Sequence, residues 1–583
     1  MRRLLRYLRP FVLLIVLAVG MLFIQATCDL TLPNLLSRLV NEILRVNTVP
    51  LLAEDASILR IGLMMLAVAM GGGAAAIGVD FFSTKMAAGI ARDLRYAVFE
   101  KVERFSSREF DSFSTASLIT RCTNDINQIQ GIFVMGIRMI CYAPIMGIGS
   151  IIMAVSTAPS MSWLIILAVA VLMGMVITIM SLAMPKFRLI QALVDRLNRT
   201  ARETLNGLMV IRAFGKEKLE EKRFDEVNRE LTEVNLVVNR IMILQFPVMQ
   251  LIMNTLILAI IWIGSHRIAA GGMDVGGMMA FIQYAMYIIF SFMFLSMMFI
   301  MLPRTAVSAA RIARVLDTEV TIQDPPQPKR FTARPGGSRV EFRNVSFRYE
   351  KGSANALTDI SFTAEPGETT AFIGPTGSGK STIANLILRF YDVTGGAIFL
   401  DGVDIRELSQ EELRFRIGYV PQKSVLLSGP VSFTLRYGKK EASNEEIREG
   451  AEIAQALDFI EEKEGGFEFP LSQGAANLSG GQKQRLSIAR ALVRNPGVLL
   501  FDDSFSALDF ATDARLRKAL AEKRNEAAKI IVAQRVGTIM GAEKIIVLDN
   551  GRITGMGTHR ELLETSPEYR EIAESQLSQG EMV

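Results

Sequence analysis

The sequence predicts a six-helix α-helical transmembrane domain fused to an α/β domain that carries a phosphate-binding loop. Three observations carry this reading. Six apolar runs in the first half are each long enough for the roughly 20 residues that cross a bilayer. After Pro303 the chain becomes soluble in character, with short apolar strands alternating with helical segments. Within that second half, Gly374-Pro375-Thr376-Gly377-Ser378-Gly379-Lys380-Ser381 fits the pattern GxxxxGK[ST]. The plan is a transmembrane domain at 1–320, a linker at 321–338 and a soluble domain at 339–583.

Composition agrees with this division. The 583 residues are 50% hydrophobic and 21% charged, a mixture of very apolar and ordinary soluble sequence. A net charge of +5 is small for this length, and the basic residues follow the membrane topology, so nucleic-acid binding has little support. Cys28, Cys122 and Cys141 have neither disulfide-framework nor metal-ligand spacing. The two histidines, His266 and His559, limit where any imidazole-dependent step can lie.

The spans fall near 11–29, 61–83, 132–154, 162–184, 242–265 and 277–302. Arg2, Arg3, Arg6 and Arg9 precede the first and imitate the basic start of a signal peptide. Five more spans follow and no small-residue cleavage site is evident, so this span reads as a retained anchor. The connection 84–131 holds seven Lys or Arg and 185–241 holds twelve, against none in 155–161 and one in 266–276. By the positive-inside rule the N-terminus, both long connections and the soluble domain face the cytoplasm of a multi-pass inner-membrane protein. Apolar residues recur at helical spacing among charges over 196–240, so the helices should project beyond the bilayer.

Asp29, Asp80 and Arg138 lie within or near spans, where ionisable groups face a cavity or one another. A cavity role is expected, with Gln250, Asn254, Gln283 and Tyr284 as neutral polar company. Met286, Met293, Met297, Met298 and Met301 around the sixth span read as adaptable packing, with a tolerant surface for varied apolar cargo as the sharper alternative.

The linker includes 324–337 (DPPQPKRFTARPGG), where proline fixes φ and resists helix. Beyond it, apolar strands at 370–373, 498–501 and 529–532 alternate with helical segments, as in a largely parallel sheet, and Asn550-Gly551 marks a hairpin. The phosphate loop follows the first of these strands and opens a helix near Ser381. Its glycines let backbone N–H groups close around phosphates, Lys380 meets the β/γ oxygens, and the Ser381 hydroxyl can ligate Mg²⁺. The second strand ends in Asp502, a carboxylate suited to holding the same ion directly or through water.

Asn477-Leu478-Ser479-Gly480-Gly481-Gln482-Lys483-Gln484-Arg485 resembles the signature motif of the ATP-binding cassette (ABC) family, and the resemblance extends over nearly the whole chain. Gln422 resembles the Q-loop glutamine, Asp509 in Ser506-Ala507-Leu508-Asp509 the D-loop, and Tyr349 the aromatic that stacks on adenine. Six spans ahead of one cassette resemble an exporter half-transporter of the type IV, B-family-like fold. Stretches near 110–125 and 203–214 resemble its two coupling helices. The resemblance implies ATP and Mg²⁺ as cofactors. It assigns nucleotide contact to Tyr349, to 374–382 including Thr382, to Ser479, Gly480, Gly481 and Gln482, and to Asp509, with Ser381, Gln422 and Asp502 at the metal. It also implies a second half-transporter, because each ATP lies between one chain's phosphate loop and the other's signature.

Two residues depart from the family pattern. The position after Asp502 normally holds Glu, the general base; here it is Asp503, whose carboxylate is withdrawn by about 1.5 Å, and a misplacement near 1 Å can lower a rate roughly a hundredfold. The switch histidine position holds Gln534, which can hydrogen-bond a γ-phosphate but carries neither charge nor titration. The segment 470–474 also lacks the Glu and Arg usual in exporters. With an intact signature, these changes point to the slowly hydrolysing, degenerate-site subunit of a heterodimer. Its partner would supply a Glu base and a switch His.

The leading function is ATP-driven export of an amphiphilic or drug-like substrate by alternating access. The rivals are an ATP-gated regulatory or channel-like subunit and a weakly active homodimeric exporter. An importer fits less well, since importers usually place membrane and cassette domains on separate chains. The cargo is not legible.

Overall fold

The computed structural model describes residues 6–48, 55–329, 336–350, 352 and 354–577. Arg2, Arg3 and the 330–335 part of the expected linker lie outside the described residues. The chain divides into two compact units, residues 1–103 with 114–318, and residues 104–113 with 319–583.

In the first unit, six helices among the described residues are long and apolar enough to cross a membrane. Helix Val12–Thr48 follows a short 3-10 segment, Arg6–Phe11, and pairs with helix Asp55–Glu103. The third span runs from Thr115 to Thr157 and contains two π-helical turns, Arg121–Asp125 and Arg138–Tyr142. Helices Ser162–Asn206, Glu217–Ala269 and Val275–Asp317 complete the set. With 53 residues, Glu217–Ala269 extends about 80 Å at 1.5 Å per residue, more than twice the roughly 30 Å hydrocarbon core.

Small residues bring the first two helices together. A Cβ at Gly89 would lie 2.4 Å from the Phe11 ring, one at Gly78 would touch Met21, and one at Gly72 would touch Cys28. Close approach at small residues is how membrane helices gain packing when lipid is as apolar as they are. The charged residues within and near the spans find polar partners, and the paired Arg138 and Asp80 side chains both stay exposed. Arg138 bonds Asp80 at 2.9 Å, and the Tyr142 hydroxyl donates to Asp29 at 2.6 Å. Arg138 and Tyr142 bracket one wide π turn, a local distortion that sets both beside the first two helices. Tyr284 is no cavity residue: it is fully buried and donates to the Leu30 carbonyl at 3.0 Å.

The second unit is α/β. Its main sheet has the order β12-β11-β3-β10-β9-β6, where β3 is Thr369–Ile373, β6 Ile417–Val420, β9 Val498–Asp502, β10 Ala528–Val532, β11 Lys544–Asp549 and β12 Arg552–Gly557. All neighbours are parallel except β12. Strands β9 and β10 are buried along their whole length, as parallel sheets covered on both faces require. Strand β7 (Gly429–Pro430) pairs with β8 (Pro470–Leu471) in a short antiparallel ribbon, and an antiparallel sheet, β2-β1-β4-β5, packs nearby from β1 (Val340–Phe347), β2 (Leu357–Ala364), β4 (Gly395–Leu400) and β5 (Val403–Asp404). Its Phe342 and Phe362 rings meet Phe372 of β3 in one apolar core. Asn550 (φ 46°) and Gly551 (φ 74°) turn β11 into β12, the positive-φ pair that a tight hairpin needs. The six-span and α/β fold class is therefore as the sequence predicts.

Candidate nucleotide site

The C-terminal ends of four neighbouring parallel strands deliver the site residues, the edge at which open α/β sheets bind ligands. Strand β3 leads into 374–379, β6 to Gln422, β9 to Asp502 and Asp503, and β10 to Gln534.

The phosphate loop depends on its glycines. Gly374, Gly377 and Gly379 have φ of 150°, 87° and 100°. A Cβ on Gly374 would stand 2.0 Å from the Leu548 carbonyl, and one on Gly379 would stand 2.8 Å from that of Ala356. Pro375, Thr376 and Gly377 are exposed at the tip, whereas Ser378 is buried beneath it. Helix Lys380–Ile387 opens at Gly379, so its first N–H groups point into the loop. The Lys380 ammonium donates to the carbonyls of Gly374 at 2.7 Å and Pro375 at 2.8 Å. Burial lowers its affinity for the proton, opposed by the charges of Asp503 and Asp502.

Ser381 Oγ donates to Asp502 Oδ1 at 3.0 Å. This hydroxyl and carboxylate are hard oxygen ligands of the kind Mg²⁺ takes alongside phosphates. Asp502 is pushed above its ordinary value of 3.8 by burial, aided by the charge of Asp503 and opposed by the Ser381 hydrogen bond.

Asp503 has a left-handed backbone, φ 48°, and its N–H donates to the Val532 carbonyl at 2.9 Å. Its Oδ2 accepts from two amides, Gln534 Nε2 at 2.8 Å and Gln422 Nε2 at 3.1 Å. Burial raises this carboxyl too, against the Gln422 bond and the charge of Lys380. Among the described residues, the two departures seen in sequence are thus bonded to one another, with Gln422 sharing the same oxygen.

Tyr349 lies at the edge of the site, its hydroxyl 3.1 Å from that of Thr382. Its ring stands edge-on to Tyr391, whose hydroxyl bonds Asp111 on the short helix Ser107–Ser112. That helix is anchored further by Glu109, which accepts from Ser106 N at 2.8 Å and the Thr321 hydroxyl at 2.7 Å. Burial alone would raise the Glu109 carboxyl, but these hydrogen bonds leave it below its ordinary value. The sequence reading did not single out Tyr391 or Glu109. The available signal was an aromatic closely following the phosphate-loop helix.

The remaining predicted residues are elsewhere. Ser479 caps helix Gly480–Val493 in a reciprocal box with Gln482, and Gly480 and Gly481 form its first turn. Among the described residues neither Ser479 nor Gln482 is bonded to 374–381. Asp509 caps the following helix by accepting from Thr512 N, which holds its carboxyl down. His559 is buried against the Tyr569 hydroxyl at 2.7 Å, and His266 bonds the Trp262 carbonyl at 2.8 Å. Neither histidine is bonded to Asp503.

Comparisons with known proteins agree with this geometry. The family described as the ABC transporter transmembrane region matches residues 15–292, and that described as ABC transporter matches 357–506. An uncharacterized ABC transporter ATP-binding protein of Mycobacterium tuberculosis is 38% identical over 98% of this chain and 97% of its own. A fatty acid ABC transporter ATP-binding/permease protein of the same species is 32% identical, covering 82% and 75%. The solved structure of a bacterial Atm1-family ABC exporter with ATP bound superposes with a TM-score of 0.79 at 26% identity, covering 98% and 99%. Half-transporters of this kind dimerise and use ATP to drive export. The chain belongs to the ABC transporter family, as an exporter half-transporter whose membrane region and ATP-binding domain are fused.

Proposed function

We propose that this chain is the degenerate-site half of a heterodimeric exporter of amphiphilic or drug-like molecules. The observation that carries the reading is the state of Asp503. Its carboxylate is one methylene shorter than the usual Glu, and the amides of Gln422 and Gln534 both claim the same oxygen. A base that must reach an attacking water is here retracted and already hydrogen-bonded. The amide at 534 supplies hydrogen bonds but no positive charge to a γ-phosphate.

Binding is favoured by everything else at the site. The backbone N–H groups of 374–380 and the Lys380 ammonium receive the phosphates, and Tyr349 offers a face to adenine. Ser381 and Asp502, with Gln422, are the residues that would hold Mg²⁺, which supplies neutralising charge to the phosphate oxygens when bound. In the partner's composite site, Ser479 to Gln482 present the N-terminus of helix Gly480–Val493 to the γ-phosphate, and Asp509 lies in the D-loop. Slow turnover at one site and fast turnover at the other follows.

Two short helices are the proposed coupling elements. Ser107–Ser112 engages Tyr391 of the ATP-binding domain and Thr321 at the start of the linker. Leu208–Ala213 leaves Met209, Val210 and Phe214 exposed, an apolar surface suited to a partner's domain. The basic connections put both helices, the N-terminus and the ATP-binding domain in the cytoplasm. The fatty acid transporter among the relatives supports an amphiphilic cargo. So does a cavity of about 330 Å³ lined by Met180, Met242, Met249, Met293 and Met297 with Gln245. Native mass measurement of the purified complex tests the assembly. A heterodimer whose second chain carries Glu and His at the two altered positions is expected, and a homodimer overturns the reading.

A further inference from the structure

Gln534, the residue proposed to meet the γ-phosphate, lies between the end of β10 and the short helix Val536–Ile539. Arg535 is extended (φ −107°, ψ 128°) and stands at the cap of that helix, yet its side chain makes no capping hydrogen bond. The first N–H groups of a helix have no partner within it. Here the first of them is met from the far end of the chain: Val536 N donates to Gln576 Oε1 at 2.8 Å. The same side-chain amide donates from Nε2 to the Gln534 carbonyl at 3.0 Å. One amide thus holds the two main-chain groups that flank Arg535, as a neighbouring strand in a parallel ladder would.

A well-seated element delivers this amide. Gln576 is the last residue of helix Pro567–Gln576. Tyr569, Ala573 and Gln576 recur at i, i+4 and i+7, on one face of that helix. The first two are fully buried in the same apolar core as Val536 and Ile539. The Tyr569 ring is fixed in turn by His559, 2.7 Å from its hydroxyl. Gln576 itself is exposed, so its contribution is its two bonds rather than packing. Arg517 holds the next turn at the carbonyls of Gly537 and Thr538, which leaves the Gln534 end to Gln576. From there the bonds continue into the site, because Gln534 Nε2 donates to Asp503 Oδ2 at 2.8 Å. A side chain reaches only as accurately as its backbone is held, and a displacement of about 1 Å at a reacting centre can matter roughly a hundredfold.

We propose that Gln576 is a positioning residue of the nucleotide site. By clamping the backbone on both sides of Arg535 it sets the reach of the Gln534 amide toward the γ-phosphate, and the C-terminal helix becomes a working part of γ-phosphate recognition. The inference rests on the reading of residue 534 as the γ-phosphate contact, and on neither slow turnover nor a heterodimer.

ADP lacks the γ-phosphate, so the readout is the preference for ATP over ADP. The purified full chain is titrated in Mg²⁺ with fluorescent derivatives of a non-hydrolysable ATP analogue and of ADP. Gln534→Ala should lower affinity for the ATP analogue about tenfold, the size of one hydrogen bond to a charged group, and leave that for ADP unchanged. Gln576→Ala should lower the same preference roughly threefold or more, again without loss of ADP affinity, because a misaligned hydrogen bond weakens steeply. Gln576→Glu keeps the acceptor for Val536 N–H but cannot donate to the Gln534 carbonyl. It should match Gln576→Ala in nucleotide preference while keeping the original melting temperature. With Gln534→Ala already in place, neither substitution at 576 should lower the preference further. Equal losses for both nucleotides, or an effect that persists beside Gln534→Ala, overturns the inference. A normal preference in the Gln576 variants alone overturns it and leaves the reading of residue 534 standing. A normal preference in Gln534→Ala overturns both.

Discussion

Asp503 is where chemistry and conformation meet at the scale of one residue. The αL backbone turns the side chain across the ends of β9 and β10, toward Gln534 and Gln422. The short side chain and the glutamine opposite it therefore form one hydrogen-bonded unit. Asp502 and Asp503 are both raised above 3.8 by burial, so each takes up its proton at a higher pH than an ordinary aspartate as the solution is acidified. Loss of those charges weakens Mg²⁺ and hence nucleotide binding. Affinity for Mg²⁺-ATP at this site, measured with a fluorescent nucleotide, should begin to fall on acidification at a higher pH than ordinary aspartates, whose pKa is about 3.9, would require. A flat profile would show that the raised carboxyls do not matter to binding. Gly374→Ala probes the loop differently. A Cβ set against the Leu548 carbonyl on a φ of 150° must displace the loop, and nucleotide affinity should drop at least tenfold.

At the scale of elements, helix ends organise the molecule. Ser479 and Gln482 cap helix Gly480–Val493, and in the proposed assembly the same Ser479 hydroxyl is the group offered to a partner's phosphate. Ser479→Ala should cost about 1 kcal/mol of domain stability as a lost cap. It should abolish most of the complex's ATPase activity while this chain's own loop still binds ATP. If activity persists, the signature is not serving the partner's site. The strand ends were legible because parallel, doubly buried strands read as short apolar runs, and because the phosphate loop announces its own strand and helix. Less legible were contacts between residues distant in sequence. The pairing of Arg138 with Asp80, and of Tyr142 with Asp29, depends on a π turn that leaves no pattern in apolar spacing. Tyr284 looked like cavity lining because its hydroxyl is polar. It is instead buried because that hydroxyl finds the Leu30 carbonyl on another helix. Tyr391 and Asp111 are 280 residues apart, and no local rule joins them.

At the scale of the whole molecule, the chain combines a membrane region with an ATP-binding domain, and in the proposed function its own hydrolytic centre, with Asp503 and Gln534, is weakened. Such an arrangement works if binding here and hydrolysis in a partner's site share one conformational cycle. ATP-driven uptake of an amphiphilic dye into inverted vesicles should require both chains. Ion conductance without dye movement would favour a channel-like role. The identity of the family was legible from motifs because phosphate chemistry demands fixed residue types at fixed spacing. The cargo was not, because apolar surfaces accept many sequences.

The most direct test is the ATPase rate of the purified complex carrying Asp503→Asn. Asparagine keeps the size and most hydrogen bonds of the side chain but cannot act as a base. More than half of the activity should remain, because turnover occurs mainly at the partner's phosphate loop against this chain's Ser479. A loss of about a hundredfold, the size expected when a catalytic group is misplaced or removed, would make Asp503 a working catalytic base and contradict the account.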